Sequence, residues 1–196
     1  MLKKLIIITT LFILSISAFA LTKEQIEPEM RNKIDKVLMI LKDSKINKNA
    51  KAKEIINIMD SVFDYPLMSR LSLGRTWKEL SDAQQKEFIE LFTKELKGSY
   101  VSKLDLYTDE LVKILGTKSP KANRIELQTV LVGKSDKYEI NYKFYEASKE
   151  ENKWLIYDVE LVGVSIIQTY RQQYAGYLKN NSFDDLLKFM KNKKIN

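Results

Sequence analysis

Apolar residues recur at helical spacing over Ile26, Met30, Ile34, Val37, Leu38 and Leu41, and Thr22 with Gln25 has the form of a capping box. The pattern predicts a first helix running to about Asp43. The same spacing returns over Ile55, Ile56, Met59, Val62 and Phe63, which predicts a second helix from Lys48 to Phe63, with Pro66 as its stop. A short helical turn is expected over Met68 to Leu73, ended by Gly74. Ser81 and Gln84 form another capping signature ahead of Phe88, Leu91, Phe92, Leu96 and Tyr100, the stripe of a long helix reaching about Ser102.

The period then changes. Segments 110–117, 123–133, 138–147 and 153–162 alternate apolar and polar residues and are separated by Ser119-Pro120, Gly133-Lys134-Ser135-Asp136 and a charged turn at Ser148 to Asn152. Ile125, Leu127, Thr129 and Leu131 share one face of a strand, as do Tyr138, Ile140, Tyr142 and Phe144. Connections this short imply antiparallel pairing. Gly163 and Ser165 open a further helix through about Tyr177, and Ser182 with Asp185 caps a last one carrying Phe183, Leu186, Leu187 and Met190. The expected fold class is α+β: an antiparallel sheet of about four strands, covered on one face by N- and C-terminal helices.

The N-terminus follows a different logic. Lys3 and Lys4 precede an apolar run from Leu5 to Ile16, and Ala18-Phe19-Ala20 offers the small residues a signal peptidase reads, so residues 1–20 are expected to be a signal peptide cleaved after Ala20. The run is too short to span a bilayer comfortably. Residues 21–196 then form a single domain of 176 residues, read as a soluble periplasmic protein.

Composition removes most chemistry. The chain of 196 residues contains neither His nor Cys, which excludes Ser-His-Asp and Cys-His nucleophiles, Cys/His zinc sites and disulfides. No phosphate-cradling glycine loop and no oxygen-rich metal cluster is legible, and the sequence offers no cofactor site. Net charge is +7, and about +5 without Lys3 and Lys4. The 28 Lys against 5 Arg are spread among Asp and Glu. That is unlike the Arg-rich single face of a nucleic-acid reader, so no nucleic-acid partner is expected. Asp64 and Asp158 are the carboxylates best placed to serve as general bases in an apolar site. The competing reading is structural, with pairing to Arg70, Arg75 or Arg171.

What the sequence does supply is large apolar surface, from Phe63, Met68 and Trp77 through Phe88, Phe92, Tyr142, Phe144 and Trp154 to Tyr170 and Tyr174. These residues are the contents of an ordinary core, or they line an apolar cavity between sheet and helices. Pattern alone does not separate the two.

Phe63-Asp64-Tyr65, Met68-Ser69-Arg70, Leu73-Gly74, Trp77, Gln84-Gln85 and Phe88 stand in an order and spacing that resembles the opening of the MlaC (toluene-tolerance) family. Trp154, Tyr157-Asp158-Val159, Gly163-Val164-Ser165 and Tyr170-Arg171-Gln172-Gln173-Tyr174 resemble that family's run from last strand into closing helix. Val162 stands where the family pattern has Glu, so no polar role carries over to it. The resemblance implies a non-enzymatic periplasmic phospholipid shuttle without a cofactor, which helps maintain outer-membrane lipid asymmetry. Its implied partners are phospholipid, an outer-membrane lipoprotein-porin complex and an inner-membrane ABC transporter with an MCE-domain subunit. A periplasmic enzyme and a chaperone for apolar segments are the alternatives.

The physics of such a carrier is restrictive. Two acyl chains of about 30 methylenes at ~0.8 kcal/mol each must be enclosed before they cross water, whereas the headgroup can stay in solvent. The expected lipid-lining set is Phe63, Met68, Trp77, Phe88, Phe92, Tyr142 and Phe144, joined by Val164, Ile167, Tyr170 and Tyr174 at the closing segment. A dry void of about 800 Å³ at ~24 cal/mol per Å³ would cost more than the ~5–15 kcal/mol that holds a domain together, so the empty state is expected to collapse partly or to retain lipid.

Overall fold

A computed structural model describes residues 21–101 and 109–193. The expected signal peptide, the expected helix end at Ser102 and the Tyr100 side chain lie outside the described residues.

Among the described residues four α-helices come first: α1 (Ile26–Lys42), α2 (Lys48–Met59), α3 (Tyr65–Leu73) and α4 (Asp82–Val101). Five strands follow, β1 (Leu111–Lys121), β2 (Arg124–Val132), β3 (Lys137–Ser148), β4 (Lys153–Leu161) and β5 (Val164–Ser165), then α5 (Ile166–Tyr177) and α6 (Phe183–Asn192). The sheet is antiparallel in the order β1-β2-β3-β4-β5. The architecture is the expected α+β, with α1 packed over the sheet and α3 to α6 gathered beyond β4.

Several boundaries differ from the sequence expectation. The helix from Lys48 ends at Met59, and after one 3-10 turn over Asp60–Val62 the chain extends: Phe63 bridges Ile156 in parallel, and the Asp64 amide donates to the Ile156 carbonyl at 2.9 Å. A sheet hydrogen bond has replaced another turn of helix. Pro66 consequently sits in the first turn of α3 rather than ending a helix, a position where its missing N–H costs nothing. The Thr22 and Gln25 pair forms half a box, the Thr22 amide donating to Gln25 Oε1 at 3.1 Å without a reciprocal side-chain cap. The boxes at Ser81/Gln84 and Ser182/Asp185 are reciprocal. β1 extends to Lys121 through Pro120, tolerated because β1 is an edge strand.

The fifth strand has a local cause. Leu161 pairs with Val164, and the two residues between them, Val162 and Gly163, have φ of 50° and 77°. Two successive positive φ values match the right-handed strand twist and fold the chain into a two-residue hairpin. Ser165 then caps α5, accepting from the Gln168 amide at 3.0 Å.

Two apolar clusters hold the domain. One joins Ile26, Met30 and Ile34 of α1 to Ile125, Leu127, Phe144, Trp154, Ile156 and Val159 of the sheet. The other joins Met68, Phe88, Phe92, Leu96, Ile167, Tyr170, Tyr174, Leu186 and Leu187 of the helices. Phe63 and Ile166 touch both.

Candidate functional site

Burial falls steadily along the sheet face that carries α1. At one end Ile125, Phe144 and Ile156 lie side by side in register and are closed off from solvent. The next row holds Leu127, Tyr142 and Val159, with Tyr142 half-buried. Beyond it Thr129 is buried and Ile140 half-buried, while Leu161 is 47% and Val164 60% exposed. In the last row Leu131 is half-buried and Tyr138 is 46% exposed. Helix α1 repeats the gradient, from buried Ile26, Met30 and Ile34 to half-buried Leu38 and Leu41. The face is therefore a packed core at one end and uncovered apolar surface at the other, called the crevice below for its place beside α1.

Local sequence explains why the crevice stays apolar and open. Strict alternation in β2 and β3 puts Leu131, Tyr138 and Ile140 on the same face as the core residues. The β4–β5 hairpin turns the chain before it can cover Leu161, and it leaves Val162 58% exposed on a left-handed backbone. At the crevice floor, Thr129 Oγ1 donates to the Ile140 carbonyl at 2.6 Å, which satisfies its hydroxyl. The Tyr142 phenol makes no hydrogen bond among the described residues, and burial pushes its pKa up to about 12.

The structure divides the expected lining set. Phe144 belongs to the sheet cluster and Tyr142 to its half-buried margin. Met68, Phe88, Phe92, Ile167, Tyr170 and Tyr174 belong to the helical cluster, with Trp77 packed at its margin. There Phe88 meets Tyr174 edge-on at 5.4 Å and Phe92 meets Tyr170 at 5.2 Å between ring centroids, so these rings occupy one another. Phe63 stands at the junction of the two clusters. Val164 and Ile167, expected to act together, point apart: Val164 is exposed beside Leu161 and Ile167 is buried among helices. Leu38, Val112, Ile114, Tyr138, Ile140, Leu161 and Ile166 were not in that set, although the alternation that places Tyr138 and Ile140 beside Tyr142 was visible in the sequence.

The two candidate bases are occupied in building the fold. Asp64 caps α3, accepting from the Leu67 amide at 2.9 Å, and its other oxygen accepts from the Tyr145 phenol. Burial, with the Asp64 hydrogen bond and charge adding to it, pushes the Tyr145 pKa well up. Asp158 accepts from Ser165 Oγ at 2.7 Å and from the Ile167 amide at 3.2 Å, fastening the start of α5 to β4. Arg70, expected to pair locally, is exposed and lies near enough to Tyr145 to act on it as a charge. Gly74, at φ 60°, faces the Arg171 guanidinium so closely that an added Cβ would lie 2.9 Å from its Nε. The described residues contain no cluster of acidic residues able to hold a metal ion and no helix long and apolar enough to cross a membrane.

The MlaC protein family model matches residues 31–192. Among solved structures, the chain is similar to a phospholipid-binding protein from Ralstonia solanacearum determined in complex with a phospholipid, with TM-score 0.71 and 18% identity over 84% of this chain and 93% of that one. No curated protein matches the chain.

Proposed function

The chain belongs to the MlaC family, and we propose that it is a periplasmic phospholipid carrier whose acyl chains enter the open end of the α1-covered sheet face. The observation that carries this reading is the gradient itself: an apolar face, continuous with the core, left uncovered at Tyr138, Leu161 and Val164. A water-soluble domain gains nothing from such a face unless an apolar ligand covers it. The tails lie over Ile140 and Tyr142 between the second half of α1 and the start of α5, and the headgroup remains outside, so headgroup selectivity is low. Binding requires no charged clamp and no cofactor. Asp64 and Asp158, both engaged in structural hydrogen bonds, favour a carrier over an enzyme.

In this reading residues 1–20 direct export and are removed, and residues 21–196 act as one domain. The carrier moves lipid between an outer-membrane lipoprotein-porin complex and an inner-membrane ABC transporter with an MCE-domain subunit, in support of outer-membrane lipid asymmetry. The helical aromatic cluster stays closed, and the crevice adjusts its volume by movement of α1 against the sheet. Native mass spectrometry of the protein recovered from its own periplasm tests the proposal. The expected result is a mature chain beginning at Leu21 with bound phospholipid. A chain free of lipid that also fails to accept labelled phospholipid from vesicles would overturn it.

A further inference from the structure

The opposite face of the sheet has a different character. Arg124, Lys143 and Tyr145 alternate with the core residues of β2 and β3 and so project away from α1. A surface cleft of about 560 Å³ opens there, lined by Pro120, Lys121, Asn123, Arg124, Lys143 and Tyr157 among others. The Arg124 guanidinium carbon lies 5.4 Å from the Tyr145 ring centroid and 5.2 Å from that of Tyr157, and the two rings meet edge-on at 6.0 Å. Asp64 anchors the Tyr145 phenol, so the surface that Arg124 rests on is tied to the N-terminus of α3.

We propose that this cleft docks an acidic segment of a partner protein, with Arg124 as its central contact. The inference stands whether or not lipid is the cargo. Two rings hold the guanidinium plane, which lowers the entropy lost when a carboxylate binds its edge. Of its donors, one Nη1 hydrogen bond goes to the Asn123 carbonyl at 2.8 Å, and no carboxylate pairs with Arg124 among the described residues. Of the nearby acids, Glu160 pairs with Lys143, while Glu126, itself a lining residue, accepts from the neutral Gln128 amide at 3.0 Å and keeps its charge. With Lys143 paired to Glu160, Lys121 and Arg124 outweigh the single Glu126 carboxylate among the cleft's lining residues, and the complementary ligand is a carboxylate-bearing chain. A bilayer is a poorer fit, because none of the exposed large apolar residues lines this cleft and a membrane surface would have no side chain to take up.

The test is fluorescence anisotropy of a fluorescein-labelled hexaglutamate peptide against the exported protein at low salt. Arg124→Ala and Lys121→Glu should each weaken binding by about fivefold or more, as expected for loss of a charge-assisted contact. Arg124→Lys, which keeps the charge without the planar fork, should also weaken it several-fold. Lys188→Glu on α6 makes the same net-charge change as Lys121→Glu but away from the cleft, and should alter binding less than about twofold. Equal weakening by Lys188→Glu, or wild-type binding by Arg124→Ala and Lys121→Glu, overturns the proposal. If Arg124→Ala fails to fold by circular dichroism, Lys121→Glu decides alone. Loss of binding to phosphatidylglycerol vesicles in Arg124→Ala with hexaglutamate binding unchanged would assign the cleft to a headgroup and overturn the peptide reading.

Discussion

The two apolar clusters solve the same burial problem differently. In the helical cluster, Phe88, Phe92, Tyr170 and Tyr174 pack ring against ring, and polar ties belt the outside. Lys193 Nζ donates to Glu95 at 2.6 Å, Gln84 Nε2 to Asp184 at 3.0 Å, and Lys191 pairs with Glu87, all three joining α4 to α6. At the open end of the sheet cluster burial fades residue by residue, and the tie there, Lys134 to Asp109 at 3.4 Å, is an exposed one. A closed aromatic cluster fixes the fold, whereas a graded one leaves apolar surface exposed. The largest rings expected to line the cavity are mostly those already filled by one another.

The largest predicted contrast comes from truncating each cluster. Phe92 is fully buried, and Phe92→Ala should destabilise the domain by about 3–5 kcal/mol in urea unfolding. Retained stability would mean that the helical cluster is loose enough to accept lipid itself. Ile140→Asp places a carboxylate in the half-buried row of the crevice. It should cost only about 1–3 kcal/mol of stability but leave the folded protein without phospholipid, because the acid must either be desolvated beneath the tails or protonate. Full lipid occupancy in a folded Ile140→Asp variant would move the binding site elsewhere.

Alkaline titration compares the tyrosines of the two regions. Burial pushes Tyr142 up from 10.0 to about 12, and burial with the Glu95 charge pushes Tyr174 further. In both cases the folded protein holds a proton that the unfolded chain loses above about pH 10, so stability is intact below that pH and falls as pH rises towards the folded values. Ultraviolet absorption of phenolate should therefore show late ionisation of both, as of Tyr145 and Tyr170, and Tyr142→Phe should remove the step near pH 12. A Tyr142 that ionises near pH 10 would mean a crevice open to water throughout.

The smallest effect concerns the hairpin at the crevice edge. Val162 adopts φ 50°, a conformation that is strained for a β-branched side chain. Val162→Asn should gain about 1 kcal/mol by relieving it, read as a rise in thermal midpoint. An unchanged midpoint would mean that Val162 makes compensating contacts.

Much of this protein was legible in its sequence because the signals are local. Helical spacing around Phe88, alternation from Tyr138 to Phe144, and the caps at Ser81, Ser165 and Ser182 each depend on neighbours within a few residues, and they placed the helices and strands within the expected α+β class. The order of motifs from Phe63 to Tyr174 carried the family. Tertiary structure decided what local pattern does not encode. The break of the helix after Met59 depends on an Ile156 carbonyl far along the chain. The separation of Val164 from Ile167 depends on the hairpin's pairing with β4. Above all, alternation assigns a residue to a face of the sheet but cannot say how far along that face α1 reaches, because coverage is set by the docking of distant elements. That docking made Phe144 core, left Ile140 and Tyr142 at the crevice, and put Leu161 and Val164 in the open.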